Sequence, residues 1–245
     1  MNFRRIIFSA ALIGLLTGLL NSGVQMLNVT GIIAQAEIYE IAGTKEAAVG
    51  GHGHSHSHAE EVWVPENGAE RTLYTFIANI LSAIGFAAIL LALMNQCQQQ
   101  GVTQLSLVKG VFWGLAGFLS FFVLPGLGLS PEIPGMQSSG LEPRQLWWVF
   151  TVFSSILGLA LLAFSPLSLK ALGATSLILP HVLSAPHIDG PEFSHPDPSV
   201  VDILHNLHQQ FMLATGISNL IFWLILGVAC AWAVKQAKTP DHRNV

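Results

Sequence analysis

Charged residues are scarce in this sequence. Only 10% of the 245 residues are Asp, Glu, Lys or Arg, whereas soluble domains average roughly 25%. Hydrophobic residues make up 51%, and the mean hydropathy is +0.56. A soluble protein with so little charge cannot cover its surface, but a protein that faces lipid has no such need. The composition therefore predicts an integral membrane protein.

Cysteine is nearly absent as well. Cys97 and Cys230 stand far apart with no Cys-x-x-Cys spacing, which argues against a disulfide framework or a thiolate zinc site. The net charge is −4 and no basic cluster is present, so nucleic acid is not expected as a partner. The sequence also lacks the P-loop, Gly-x-Ser-x-Gly and His-Glu-x-x-His motifs. We therefore predict that the protein is not an enzyme.

Long apolar runs, by contrast, recur along the chain. A helix needs about 20 mostly apolar residues to cross roughly 30 Å of hydrocarbon. The stretches that meet this requirement are Ile6–Leu27, Leu73–Met94, Leu105–Leu124, Leu146–Phe164 and Phe211–Val234. A shorter run, Leu167–Leu183, is either a further span or a re-entrant segment. These runs predict an all-α integral membrane protein, with a single membrane domain over residues 1–245. The domain is a bundle of about six transmembrane helices, or of five if the shorter run does not cross.

The basic residues favour six spans over five. If Arg4 and Arg5 keep the N-terminus in the cytoplasm, six spans place most other Lys residues there, including Lys235 and Lys238 in the tail. Five spans would place that tail outside, against the positive-inside rule. We therefore expect both termini in the cytoplasm. A cleaved signal peptide is a less favoured alternative, because its candidate site at residues 34–36 lies far beyond the apolar run.

This topology predicts three external loops, at residues 28–72, 125–145 and 184–198. Nearly all acidic residues and most of the ten histidines fall in or beside them. An acidic face concentrates cations before any specific site binds them. The first loop is rich in His, Gly and Ser at its centre and is expected to be flexible. The second is rich in Pro and Gly, and the third in Pro.

Histidines at alternate positions in the first loop are the clearest chemical signal. They are His52, His54, His56 and His58. Neutral imidazole is a good ligand for Co²⁺, Ni²⁺, Cu²⁺ and Zn²⁺, and a flexible chain lets several rings converge on one ion. The run predicts a transition-metal site. The alternative interpretation is a polar, low-complexity loop with incidental affinity.

A second group of candidate ligands begins the last helix. Ser199 and Asp202 predict a capping box there. Asp202, His205 and His208 follow at i, i+3 and i+6, which places them on one helix face. The loop before this helix adds two more candidate ligands, His187 and His195. Together they predict a metal site near the outer end of the bundle, with an interfacial turn that faces lipid headgroups as the alternative.

Polar side chains also occur inside the predicted spans. Asn21, Gln25 and Asn28 form a stripe on the first helix at i, i+4 and i+7. Others follow in the second span, Asn79 and Ser82, and in the last, Thr215, Ser218 and Asn219. Because polar groups at membrane depth normally face the protein interior, they either join helices by hydrogen bonds or line a path for a cation. Glu132, in the second external loop, is predicted to add an oxygen ligand to such a path.

One stretch carries a more particular signature. Residues 131–135 read Pro-Glu-Ile-Pro-Gly, residues 144–148 read Arg-Gln-Leu-Trp-Trp, and the last helix contains His-x-x-His. Over nearly its whole length the sequence resembles the CbtA family of predicted cobalt transporter subunits. The resemblance implies a multi-pass subunit of the bacterial inner (plasma) membrane that takes up cobalt. It also implies a partner in the bilayer, a small single-span subunit similar to CbtB. The family is described with five spans, whereas the charges here favour six.

The resulting hypothesis is that external histidines and carboxylates capture Co²⁺ as the transported substrate, with no permanently bound cofactor. Ni²⁺ and Zn²⁺ remain alternatives, because imidazole and carboxylate ligands do not separate these ions well. Two other classes of function also remain open. They are a non-transporting metal sensor or accessory membrane protein, and a membrane metalloenzyme that uses the external cluster.

Overall fold

A computed structural model describes residues 1–50 and 65–237, without the side chains of residues 43–50. Seven helices are present in this part of the chain. Their bounds are Phe3–Asn28 (α1), Thr30–Gly50 (α2), Ala69–Gln99 (α3), Leu107–Gly126 (α4), Leu141–Phe164 (α5), Leu167–Val182 (α6) and Pro198–Gln236 (α7). The described residues form helices and no β-strand, so the prediction of an all-α membrane protein is confirmed.

Five of these helices, α1, α3, α4, α5 and α7, are long and apolar enough to cross a membrane. The shorter α6 has 16 residues, a length of about 24 Å at 1.5 Å per residue. Only Ser165 and Pro166 separate it from α5. The indole Nε1 of Trp147, near the start of α5, donates a hydrogen bond to the carbonyl of Pro180 near the end of α6. Thus α6 returns along α5, and the chain passes six times between the two ends of the bundle.

The bundle is held together by small residues at the helix crossings. A Cβ atom on Gly14 would lie 2.4 Å from the Cα of Ile84, so α1 and α3 approach at backbone distance. Gly114 on α4 and Gly227 on α7 meet in the same way. Beside them a fully buried apolar cluster includes Leu91 and Leu226. Close glycine-mediated crossings are typical of membrane helices.

A second apolar core lies beyond the spans, because α7 is longer than a membrane requires. Its 39 residues extend about 58 Å, against a hydrocarbon thickness of roughly 30 Å. The first turns of α7 pack on the start of α2 through Leu204, Leu207 and Ala36, together with Phe193 and Ile133 from the two long loops. We call this layer the cap: α2, residues 198–211, and the segments 127–140 and 184–197. The opposite end, where α1 begins and α7 ends, is the termini end.

The structure differs from the prediction of a flexible loop over residues 28–72. Residues Thr30–Gly50 form a helix, and a further helix begins at Ala69. Ile32, Ile33 and Ala36 repeat at helical spacing and pack into the core of the cap, which provides the free energy for this helix. The histidine run at residues 52–58 lies outside the described residues. Of the other two predicted loops, residues 127–140 and 183–197 lie outside the helices.

Candidate metal-handling site in the cap

The two long loops of the cap are joined to each other. The backbone N–H of Gln137 donates to the carbonyl of Glu192 at 2.7 Å, and Met136 forms a bridge with Phe193. The hydroxyl of Ser139 donates to the carbonyl of Pro186 at 3.3 Å. These bonds satisfy backbone groups that would otherwise lack partners. The two proline-rich segments therefore act as one surface over the ends of α4, α5 and α7.

An ion pair fixes the segment 127–140 to α5. The guanidinium of Arg144 lies 2.6 Å from the carboxylate of Glu132 and also donates to the hydroxyl of Ser138 at 2.9 Å. Glu132 was predicted as an oxygen ligand on a cation path, but here its carboxylate is held by Arg144. Because both side chains are partly exposed, the pair contributes little net stability. Its main effect is to set the position of the loop.

The same segment is fixed to α7 by His208. The imidazole Nε2 of His208 lies 3.0 Å from the carbonyl oxygen of Pro131, directly before Glu132. His208 is half-buried, whereas His205, one turn earlier, is exposed. Nδ1 of His205 is 3.9 Å from a carboxylate oxygen of Glu192, which is too long for a hydrogen bond.

Phe193 positions both imidazoles. Its ring is buried and meets His205 edge-on, with centroids 5.0 Å apart, and His208 in the same manner at 6.2 Å. Sequence reasoning missed this residue. The available signal was an aromatic residue in a proline-rich, otherwise polar loop, where burial is its most favourable state.

The other predicted ligands of this region are less closely associated with His208. Asp202 and His187 are exposed, and no interaction brings either to His208. His195 accepts a hydrogen bond at Nδ1 from the backbone N–H of Asp197, and its Nε2 is buried without a partner in the described structure. Asp197, rather than the predicted Ser199, caps α7.

The N-cap of α7 is stabilised by hydrogen bonds and charge. The carboxylate of Asp197 accepts hydrogen bonds from the hydroxyl and the backbone N–H of Ser199, both at 2.8 Å. These two bonds hold the pKa of Asp197 below its ordinary value, and the bond from the hydroxyl has the larger effect. The nearby His195 lowers the pKa further. Asp197 is therefore ionised at neutral pH, where it stabilises the helix N-terminus.

Among the side chains that the structure describes, no group of three or more His, Cys, Asp or Glu is placed to share a metal ion. The geometry brings together His205, His208 and Glu192, but only as neighbours around Phe193. The predicted ligands His52, His54, His56 and His58 lie outside the described residues. The assignment of metal ligands therefore stays a prediction.

The side chains that were predicted to form a polar path along α1 lie in three different surroundings. The amide nitrogen of Asn79 donates to Ser22 at 3.0 Å and to Gln25 at 2.9 Å, which joins α3 to α1 as an interhelical contact. Asn28 is exposed. Asn21 has a buried amide oxygen with no hydrogen-bond partner among the described residues. It lines a cavity of about 70 Å³ between α1 and α7.

A polar stripe on α7 continues from His208 into the bundle. Thr215 and Asn219 follow His208 at i+7 and i+11, so the three share one helix face. The hydroxyl oxygen of Thr215 is buried with no partner in the described structure, and Asn219 donates to the backbone carbonyl of Thr215 at 3.0 Å. Both residues were noted as polar positions in the last span, but their alignment with His208 was not.

Charge is distributed unevenly between the two ends. The described carboxylates lie in the cap or in helix turns next to it: Glu37, Glu40, Glu66, Glu70, Glu132, Glu142, Asp189, Glu192, Asp197 and Asp202. The basic residues of the termini end are Arg4, Arg5, Lys109, Lys170 and Lys235. At the cap end, Arg71 is paired with Glu37 and Arg144 with Glu132.

Comparison with protein families gives a match to the model of the probable cobalt transporter subunit CbtA, over residues 3–235. Comparisons with curated proteins and with solved structures give no match. The family model covers all the helices of the bundle and the whole cap surface described above. The chain belongs to the CbtA family of probable cobalt transporter subunits.

Proposed function

We propose that this subunit takes up Co²⁺ through the inner membrane of a bacterium, and that the cap faces outward to collect the ion. The positive-inside rule supports this orientation, since the basic residues of the termini end would lie in the cytoplasm. An outward cap would present its carboxylates to the source of the cation. Their field would raise the local concentration of divalent ions.

The observation that carries the proposal is the place of His208. It stands where the cap meets the bundle, with its ring against Phe193 and the polar positions Thr215 and Asn219 below it on the same face of α7. An imidazole is a suitable first ligand for Co²⁺. A buried hydroxyl and an amide below it offer oxygen atoms to an ion that has lost part of its water.

Three other components have roles in the proposed uptake. The histidines at positions 52–58 would raise the local supply of metal to the cap. His205, Asp202 and His187 would offer transient contacts around His208. A small single-span partner subunit would complete the transporter, because the family name describes a subunit.

Cobalt accumulation in cells that lack their own importers tests the proposal. The chain should raise accumulation, alone or with its partner, and excess Ni²⁺ or Zn²⁺ in competition would show whether the site prefers cobalt. Cells that hold the inserted chain and the partner, yet accumulate no more cobalt than empty cells, would contradict uptake. That outcome would favour an accessory protein that presents metal to another channel.

A further inference from the structure

The hydrogen bond of His208 determines which of its ring nitrogens is free. Nε2 lies 3.0 Å from the carbonyl oxygen of Pro131. A carbonyl oxygen has lone pairs but no proton, so the hydrogen in this contact must belong to Nε2. In a neutral imidazole only one nitrogen carries a proton, so Nδ1 then has the lone pair.

Nδ1 of His208 is also not fully buried. Within the described part of the chain it makes no hydrogen bond, and it is not among the buried unpaired side-chain atoms. His195 has the opposite arrangement. Its Nδ1 accepts from the backbone N–H of Asp197, so the proton of the neutral ring lies on Nε2, which is buried. His195 therefore has no free lone pair for a metal ion, whereas His208 has one.

We propose that His208 binds the metal ion through Nδ1, and that the carbonyl of Pro131, positioned by the ion pair between Glu132 and Arg144, orients its imidazole. A histidine that ligates a metal usually donates its other ring N–H to a carboxylate, a carbonyl or water, which fixes the tautomer and the direction of the ring. The inference rests on the proposed capture of cobalt in the cap. It makes Glu132 a positioning residue instead of a ligand.

The role of Glu132 follows from its place in the chain. It comes directly after Pro131, and its carboxylate is held 2.6 Å from Arg144 at the start of α5. Loss of this ion pair removes one of the two contacts that Arg144 makes with segment 127–140 and leaves its bond to Ser138. The carbonyl of Pro131 would then hold His208 less firmly. Groups that orient a metal-binding histidine typically change affinity by about 10- to 100-fold when they are replaced.

The tautomer can be measured directly. Nitrogen-15 labelled histidine in the purified full chain in micelles gives separate signals for the two ring nitrogens, and His208→Gln identifies those of His208. We expect the metal-free protein to show the proton on Nε2. A neutral His208 with its proton on Nδ1 would overturn the inference.

Cobalt binding to the same purified protein provides the second test. His208→Gln keeps an amide that can reach the Pro131 carbonyl but removes Nδ1, so we expect normal thermal stability and loss of the Co²⁺ absorption bands of the site. Glu132→Gln should weaken binding by about 10- to 100-fold, whereas Glu142→Gln, which removes a charge from an exposed position two residues before Arg144, should not. Equal binding by wild type and a stable His208→Gln protein, or equal effects of the two glutamine variants, would contradict it. Because neither measurement involves transport, absent uptake would count against the proposed function alone.

Discussion

The indole of Trp147 and the carbonyl of Pro180 lie 3.2 Å apart, so the start of α5 is bonded to the end of α6. Trp147 also packs beneath segment 127–140, where a Cβ on Gly128 would lie 2.3 Å from its ring. The bond to Pro180 depends on α6 running back toward the cap. The Trp147–Pro180 pair therefore underlies the six passes of the chain between the two ends.

Replacement of Trp147 by Phe should destabilise the bundle. The buried carbonyl of Pro180 would lose its donor, at a cost of about 1–3 kcal/mol. Thermal unfolding of purified protein in micelles measures the change. Trp148→Phe is the matched control, because Trp148 is exposed, 38% against 8% for Trp147. Similar losses of thermal stability in both variants would show that the bond to Pro180 does not stabilise the bundle.

The six passes can be tested by labelling. Single cysteines replace Ser165, just before α6, and Ser194, in segment 184–197 after it, in a chain with Cys97 and Cys230 replaced by Ser. A membrane-impermeant maleimide on intact cells should label position 194 and not position 165. If α6 does not cross, the two positions lie on one side of the membrane and react alike.

The crossing of α4 and α7 should not tolerate a methyl group. A Cβ at Gly114 would lie 2.4 Å from the carbonyl oxygen of Trp223, so Gly114→Ala forces the helices apart. Overpacking of this kind costs about 1–3 kcal/mol. Gly85→Ala should be harmless, because no atom lies within 4 Å of a Cβ built there. Unfolding in micelles compares the two, and an unaffected Gly114→Ala protein would rule out the close crossing.

Protonation of Asp197 should loosen the start of α7. Since the folded protein holds the pKa of Asp197 below the ordinary value of 3.8, its contribution to stability is complete above that value. The contribution disappears as pH falls through the lower pKa of the folded state. Asp197→Ala should therefore be less stable than wild type at neutral pH, with the difference closing in acid.

Asp202→Asn is the control for that experiment. It removes a carboxylate near the same helix N-terminus without changing the N-cap hydrogen bonds, because the bonds from Ser199 go to Asp197. Stability measured across the acid range should follow the wild type in this variant. A gap between wild type and Asp197→Ala that stays constant down to the lowest pH would contradict the assignment.

The membrane class and the spans could be predicted because they depend on local composition. Each apolar run is long enough to be recognised alone, and even α6 appears as a shorter run. The helix Thr30–Gly50 was missed because its stabilising contacts come from Leu204, Leu207 and Phe193, far away in sequence. The glycines and serines at residues 50–58 suggested a flexible loop over the whole stretch.

The candidate site could be predicted only by residue type. His205 and His208 were found from their spacing, but the partner of His208 is a backbone carbonyl 77 residues away, which no side-chain pattern reveals. The helix cap was placed at Ser199 instead of Asp197, because Pro198 allows the helix to begin earlier. Arg144 has two carboxylates near it in sequence, Glu132 and Glu142, and only the packing of the loop selects Glu132.

Cobalt uptake by a chain that carries His208→Gln tests the central claim most directly. The amide can still reach the carbonyl of Pro131, so the variant should insert in the membrane at the wild-type level. We predict that cobalt uptake by the variant falls to that of cells without the chain. Uptake equal to wild type, at equal amounts of inserted protein, would contradict the claim that His208 receives the ion.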